Sequence, residues 1–421
     1  HNPKGATMQL PIIALAMGDP AGIGPEIVVK LLAEEAVYRK CRPFVIGDLA
    51  AMQEIAHTLR SPLHFRAVDD LSEARFAPGE VEVLRPEGLP AGRAPWGTMN
   101  AQMGKSAALC LETGIELGQA GQIHGMVAAP MSKEAFHLAG YNYLDELSYL
   151  ADVTHSRDTF IAGLVGKLWT ATVTEHIAFR DIAGKITRPH VLAAIRRLDA
   201  LLRGVGRDAA KIAVAALNPH GGEGGLFGDE ESAEISPAIR EARRLGIDAH
   251  GPFAADTLFI RAAAEGFDAV LCLYHDQANI ARKLLATWDG ATVFAGLPVY
   301  CATTAHGTAF DKAGQGVADP GSLRAALNCV AALASSQVTT TSDFRAALNE
   351  IFALAEEEGH SFVDLKAGDL HRKVGGYPGH NHRMPVCCDV MRNAMAVGDT
   401  ILYAPPKGKG ATLEIRYRLP R

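Results

Sequence analysis

The feature that most constrains the fold is a recurring pair, a short apolar run followed at once by a polar or Gly/Pro cluster. PIIALA leads into MGDPAGIGPE, PFVI into GDL, GMVAAP into MSKE, TATV into TEH, KIAVAAL into NPHGGEGG and AVLCL into YHDQ. Amphipathic stretches such as PEIVVKLLAEEA lie between them. Apolar runs of strand length alternating with helical patterns predict βαβ units, hence an α/β fold with a largely parallel sheet. Ligands of such sheets bind outside the carboxyl ends of the strands, so the polar clusters place the chemistry along one sheet edge.

Composition narrows the partners. With 421 residues, 48% hydrophobic and 21% charged, the chain supports two or three domains and a large core. A net charge of −6 gives no global argument for nucleic acid or anionic membrane. No apolar run reaches the length of a membrane span. Seven cysteines without regular spacing do not describe a disulfide framework, and the adjacent Cys387 and Cys388 are wrongly spaced for a chelating pair. A cytoplasmic protein is expected. Charge is uneven: residues 360–421 hold ten basic and five acidic side chains, +5, which leaves −11 on the remainder. This tail closes with GDTILYAPPKGKGATLEIRYRL, which reads as two strands joined by a Lys/Gly turn.

Four features at the strand ends carry candidate chemistry. His176, His220 and His275 each sit just past an apolar strand. Three imidazoles at one edge describe a catalytic metal site, set against three unrelated caps or core histidines. NPHGGEGGLFGDEE matches neither dinucleotide nor Walker fingerprints, but its glycines allow a loop that closes on a ligand. AHGTAFDKAGQGVADPGS, with His306, Asp311 and Asp319, is either a ligand loop or a plain connection, and ordered Gly-rich loops favour the former. MGDPAGIGPE closes the first strand and opens a helix with Pro25 at an early position, a turn that can face an anion.

Together GDPAGIGPEI, APMSKEAF, NPHGGEGGLFGDEE, GPFAADTLF, YHDQ, KLLA and HGTAFDKAGQGVADP resemble the 4-hydroxythreonine-4-phosphate dehydrogenase family of vitamin B6 biosynthesis and its catabolic relatives. The resemblance runs from about residue 12 to 335. It implies a two-domain isocitrate/isopropylmalate dehydrogenase-like fold, a homodimer with shared active sites, NAD or NADP, and a divalent metal (zinc, magnesium, manganese or cobalt). It also implies domains at 1–135 plus 300–340 and at 136–299, followed by an extra C-terminal module at 341–421. His176, His220 and His275 would be the metal ligands, His275 reaching the partner subunit's site. His306, Gly307, Thr308, Asp311, Gly314, Gly316 and Asp319 would bind the cofactor.

The departures from the family pattern shape the expected substrate. Where the family reads GHTE, this chain reads DELS, Asp145 to Ser148, which puts Glu146 at the histidine. The family's Asn is Thr292 and its Arg is Cys301, so of the residues that clamp a substrate phosphate only Lys283 survives. A lost bidentate Arg contact argues against phosphate. The expected activity is therefore oxidation of a secondary hydroxyl in a small hydroxy acid or a carboxylated cis-dihydrodiol, as in terephthalate dihydrodiol dehydrogenase, with decarboxylation to follow where a carboxylate lies β to the new ketone. Asp256 and Lys283 would handle protons and orient substrate, Asp256 having a helix cap as its alternative. The alternatives are a true 4-hydroxythreonine-4-phosphate dehydrogenase, and a ligand sensor with a DNA-binding C-terminal module; nucleic acid is the less favoured partner.

Overall fold

The computed structural model describes residues 10–90, 95–285, 289–336, 341–374, 384–406 and 408–420. The chain divides into two compact units, a body of Pro11–Gly118 with Gln122–Ser336 and a smaller unit built on Gln337–Arg421.

The strands of the body are β1 (Ile12–Ala16), β2 (Arg42–Ile46), β3 (His64–Val68), β4 (Glu80–Leu84), β5 (Gly125–Ala128), β6 (Phe160–Val165), β7 (Leu168–Thr172), β8 (Ile212–Ala215), β9 (Ala249–Phe253), β10 (Ala269–Cys272), β11 (Gly290–Ala295) and β12 (Tyr300–Thr304). They form one sheet in the order β3-β4-β2-β1-β5-β12-β11-β6-β7-β10-β8-β9. Both of its faces are covered. Ile13 and Leu15 of β1 join one core with Val127, while Ala14 and Ala16 join the other with Met126 and Ala128. Burying both sides of each strand is why these runs read as continuously apolar, and each fully buried Val, Leu or Ile contributes about 1.5–3 kcal/mol.

The α/β class is as expected, with one difference. β11 runs antiparallel to both neighbours, β12 and β6, and β6 runs antiparallel to β7. The β6–β7 link is two residues long, with Gly166 at φ 57°, so the chain reverses in a tight hairpin where a parallel crossover would need a helix.

The smaller unit has its own core of Phe344, Leu348, Cys387, Met391, Ile415 and Tyr417. Its order is helix Thr341–Glu357, β13 (Phe362–Lys366), helices Ala367–Val374 and Met384–Asn393, then β14 (Thr400–Tyr403) and β15 (Glu414–Arg418). The strands are antiparallel in the order β13-β15-β14, an arrangement of winged-helix type. All seven cysteines are buried and unpaired. Among the described residues no helix is long and apolar enough to cross a membrane.

Candidate active site and metal centre

The site begins where β7 and β10 end. These strands are parallel neighbours, and their pairing continues past the strands proper: Val173 N–H donates to the Cys272 carbonyl at 3.0 Å and Thr174 N–H to that of Leu273 at 3.1 Å. The next residues, Glu175 and His176 on one strand and His275 on the other, are therefore held side by side. The two imidazole rings lie 5.6 Å apart, and one ligand atom from each of Glu175, His176 and His275 falls within 4.8 Å of the others.

Carboxylates orient both rings. Asp145 meets His176 Nδ1 at 3.0 Å, and Asp276 meets His275 Nδ1 at 2.7 Å. With each Nδ1 engaged by a carboxylate, each Nε2 is left to bind a cation, the arrangement usual around protein-bound metals. Two imidazoles and a carboxylate with open positions remaining suit a divalent ion, so the donor set fits the metal that the resemblance implies. Asp145 does a second job. It caps the helix Glu146–Val153 in a capping box with Ser148, so the DELS segment is a helix start aimed at the histidine.

His220 stands apart from this cluster. β8 lies next to β10, but the chain beyond it turns through a left-handed run, with His220 at φ 54°, Gly221 at 69°, Gly222 at 82° and Glu223 at 46°. His220 is exposed at the surface of that loop. Glu231 anchors the loop, accepting from the backbone N–H of Leu217 at 2.8 Å and of Asn218 at 2.7 Å. Burial alone would push the Glu231 carboxyl up, but these bonds and the Asn218 amide carry it below its usual value. His275, which the resemblance assigned to a partner's site, lies here beside His176 of its own chain.

A cavity of about 530 Å³ opens from the histidines. One wall is Asp145, Glu146 and Lys133; another is Asn279, Arg282 and Lys283 on the helix His275–Leu285; Thr292, Phe294 and Thr303 belong to β11 and β12; His306, Gly307 and Thr308 close it. Among the expected substrate residues, Glu146, Lys283 and Thr292 line this space and Cys301 does not. Cys301 is fully buried opposite Phe294, and burial pushes its thiol up. A short side chain at that point stays within the core. Asp256 is also elsewhere, exposed in a neighbouring cavity of about 340 Å³ with Tyr274, Asp276 and Gln277.

The cofactor candidates form one continuous loop of which His306, Gly307 and Thr308 reach the cavity. Asp311, Gly314, Gly316 and Asp319 lie farther along it. Ile23 N–H donates to the Thr308 carbonyl at 3.0 Å; Glu26 accepts from Gly316 N–H at 3.1 Å and from Ala318 N–H at 2.7 Å. Lys30 donates to the carbonyls of the same two residues at 2.9 and 2.6 Å. The MGDPAGIGPE turn is thus the clamp that shapes the HGTAFDKAGQGVADP loop. Gly314, at φ 74°, packs under Trp96, where a Cβ would approach the ring to 2.6 Å. Asp319 accepts from Gly321 N–H at 2.6 Å, meeting the first N–H of the helix Gly321–Ser336.

Glu175 and Arg282 were not singled out in the sequence. The available signal was adjacency, since each directly precedes a residue that was singled out, His176 and Lys283.

Residues 39–330 match the family model described as "Pyridoxal phosphate biosynthetic protein PdxA". A D-threonate 4-phosphate dehydrogenase of Salmonella typhimurium is 40% identical over 333 residues, 78% of this chain and 100% of that protein. The solved 4-hydroxythreonine-4-phosphate dehydrogenase of Burkholderia phymatum is 39% identical with a TM-score of 0.67, covering 77% of this chain and 98% of that one. The terephthalate 1,2-cis-dihydrodiol dehydrogenase of Burkholderia xenovorans is more distant, 28% identical with a TM-score of 0.56 over 76% of this chain and 98% of its own. This ranking corrects the expectation of a dihydrodiol substrate and of decarboxylation, neither of which the comparisons support. That expectation weighed three lost clamp residues and could not weigh the whole chain. With the family model matched over residues 39–330 and these dehydrogenases 39–40% identical over nearly their whole length, the chain belongs to the 4-hydroxythreonine-4-phosphate dehydrogenase (PdxA) family.

Proposed function

We propose that this dehydrogenase oxidises a secondary hydroxyl in a small phosphorylated hydroxy acid, of the class that 4-hydroxythreonine 4-phosphate and D-threonate 4-phosphate represent. The observation that carries the reading is the meeting of His176, His275 and Glu175 at the mouth of a cavity that also holds Arg282, Lys283 and the 305–308 loop. A bound divalent cation would supply a Lewis acid for the hydroxyl, and NAD or NADP the hydride acceptor.

The protein's own groups then divide the work. Asp145 and Asp276 hold the two imidazoles in one tautomer and orientation. Lys283 reaches the cavity from the histidine-bearing helix and offers a cation to an acidic group of the substrate. Phe294 and Ile161 give the cavity an apolar side that limits water. Glu146 first argued against phosphate, as a carboxylate replacing a donor. Burial raises its carboxyl, with Asp145 adding to the rise and Lys133 opposing it. A carboxyl raised in this way carries less of its charge at a given pH and so opposes an anion less than a free glutamate would.

His220 supports a shared site in a homodimer, since its loop presents it outward from the cluster of its own chain. The test is NADH or NADPH formation from D-threonate 4-phosphate and 4-phosphohydroxythreonine, before and after chelation. The reading expects turnover that chelation abolishes and a divalent ion restores. Turnover of unphosphorylated acids alone, or full activity in the chelated protein, would contradict it.

A further inference from the structure

Among the described residues Arg282 is a guanidinium with no carboxylate in ion-pair contact. It is half-buried in the wall of the cavity, and its bond to a side chain is from Nη2 to Asn279 Oδ1 at 2.6 Å. Asn279 is itself held through its Nδ2 by the His275 carbonyl at 3.0 Å. No acidic side chain among the described residues lies within ion-pair distance of Arg282; burial lowers its pKa, and Glu175 only partly opposes this. A half-buried cation of this kind is costly unless an anion completes it.

The sheet beneath has been cleared for this side chain. Gly163 of β6 pairs directly with Thr170 of β7 on one side and Thr292 of β11 on the other, and Thr292 pairs with Thr303 of β12. Opposed residues of an antiparallel ladder share a face, so the four positions form one row, three hydroxyls and a gap. Arg282 fills the gap. A Cβ on Gly163 would lie 2.2 Å from Arg282 Nη1 and 2.6 Å from its Cδ. Gly163 is not among the residues of positive φ, so the strand does not need glycine for its backbone. It needs the space.

We propose that Arg282, seated over Gly163 beside Thr292, is the principal anion anchor of this cavity and grips the terminal phosphate of the substrate, with Lys283 next to it on the same helix. The assignment rests on the phosphorylated-substrate reading above for its ligand. It supplies from the helix the guanidinium that the family pattern places at position 301, where this chain has the buried Cys301. Guanidinium matches a phosphate with two parallel hydrogen bonds, and among the described residues Nε and Nη1 have no side-chain acceptor.

The experiment compares the metal-loaded wild type with Arg282→Gln, Arg282→Lys and Gly163→Ala. Calorimetry reads the affinity for inorganic phosphate, and steady-state kinetics read KM and kcat for D-threonate 4-phosphate and KM for the nucleotide. Arg282→Gln is expected to weaken phosphate binding and raise the substrate KM by about tenfold or more, since a charge-assisted bond is lost. The nucleotide KM should stay within about twofold, because the 305–308 loop is untouched. Arg282→Lys should fall between. Gly163→Ala should reproduce the loss with the arginine still in the sequence, by displacing it. Phosphate affinity that is unchanged in Arg282→Gln and Gly163→Ala overturns the assignment, as does a wild type that binds no phosphate. If phosphate binding depends on Arg282 while no phosphorylated hydroxy acid is oxidised, the anion anchor stands and the substrate reading fails.

Discussion

Asp19 lies at the turn after β1 with its carboxyl fully buried. One oxygen accepts from Ala21 N–H at 2.9 Å and the other has no partner among the described residues. Burial, only partly offset by that bond, raises its pKa from 3.8 to about 6. The folded state therefore keeps this proton to a higher pH than the unfolded chain does. The resulting stability is fully present below about pH 4 and is lost as the pH rises through 6, a difference of about 3 kcal/mol. Asp19→Asn should remove that slope. Urea unfolding of both proteins from pH 4 to 7 checks it: the stability difference should shift toward the variant as pH rises, and parallel curves would show that Asp19 ionises freely. The motif around Asp19 was plain in the sequence, but its burial was not, because it depends on distant chain such as Pro130, whose carbonyl accepts from Asp19 N–H at 2.9 Å.

The residue scale also shows what adjacency hides. His176 and Lys283 were legible because they follow apolar runs or family motifs. Glu175 and Arg282 are one residue away, and a one-residue step changes the direction of a side chain on strand or helix. Only the strand register could reveal that Arg282 lies over a glycine beside Thr292.

At the scale of elements, strand ends were readable because an apolar run must stop where the core stops. Strand direction was not, since β6, β7 and β11 are as apolar as their parallel neighbours and differ in how they are joined. The same limit explains His220. It ends a strand next to that of His275, but a left-handed loop of glycines turns it outward. The helix Glu146–Val153 makes a prediction of its own. Asp145→Asn keeps a good capping residue but removes the carboxylate from His176. Its melting temperature should stay close to that of the wild type, while affinity for a divalent metal falls about ten- to hundredfold. Equilibrium dialysis with zinc or manganese beside a thermal melt checks this; unchanged metal affinity would remove Asp145 from the centre.

For the whole molecule, the C-terminal unit poses the sharpest choice. Its winged-helix topology is shared with DNA-binding modules, but a fold does not carry a function by itself. Several of its described basic residues are engaged internally: Arg416 with Asp364 at 2.7 Å, Lys409 with Asp389 at 2.7 Å, Lys373 with Glu350 at 3.1 Å and Lys366 with Glu414 at 3.8 Å. Residues 337–359 add one basic side chain and five acidic ones, Glu350 among them, so the +5 of residues 360–421 falls to +1 for the whole unit. The full chain is expected to show no more than weak, non-specific duplex binding at physiological salt, with a Kd no tighter than about 10⁻⁶ M. A salt-dependent mobility shift in the nanomolar range would reverse this view of the unit.

The central claim is that the cavity beside His176 and His275 serves a phosphorylated hydroxy acid. The most direct measurement is kcat/KM for D-threonate 4-phosphate against D-threonate, with the metal-loaded protein and the better of the two nucleotides. Two charge-assisted contacts from Arg282 and Lys283 predict a preference for the phosphate ester of about a hundredfold or more. A ratio near one, or a preference for the unphosphorylated acid, would contradict the account.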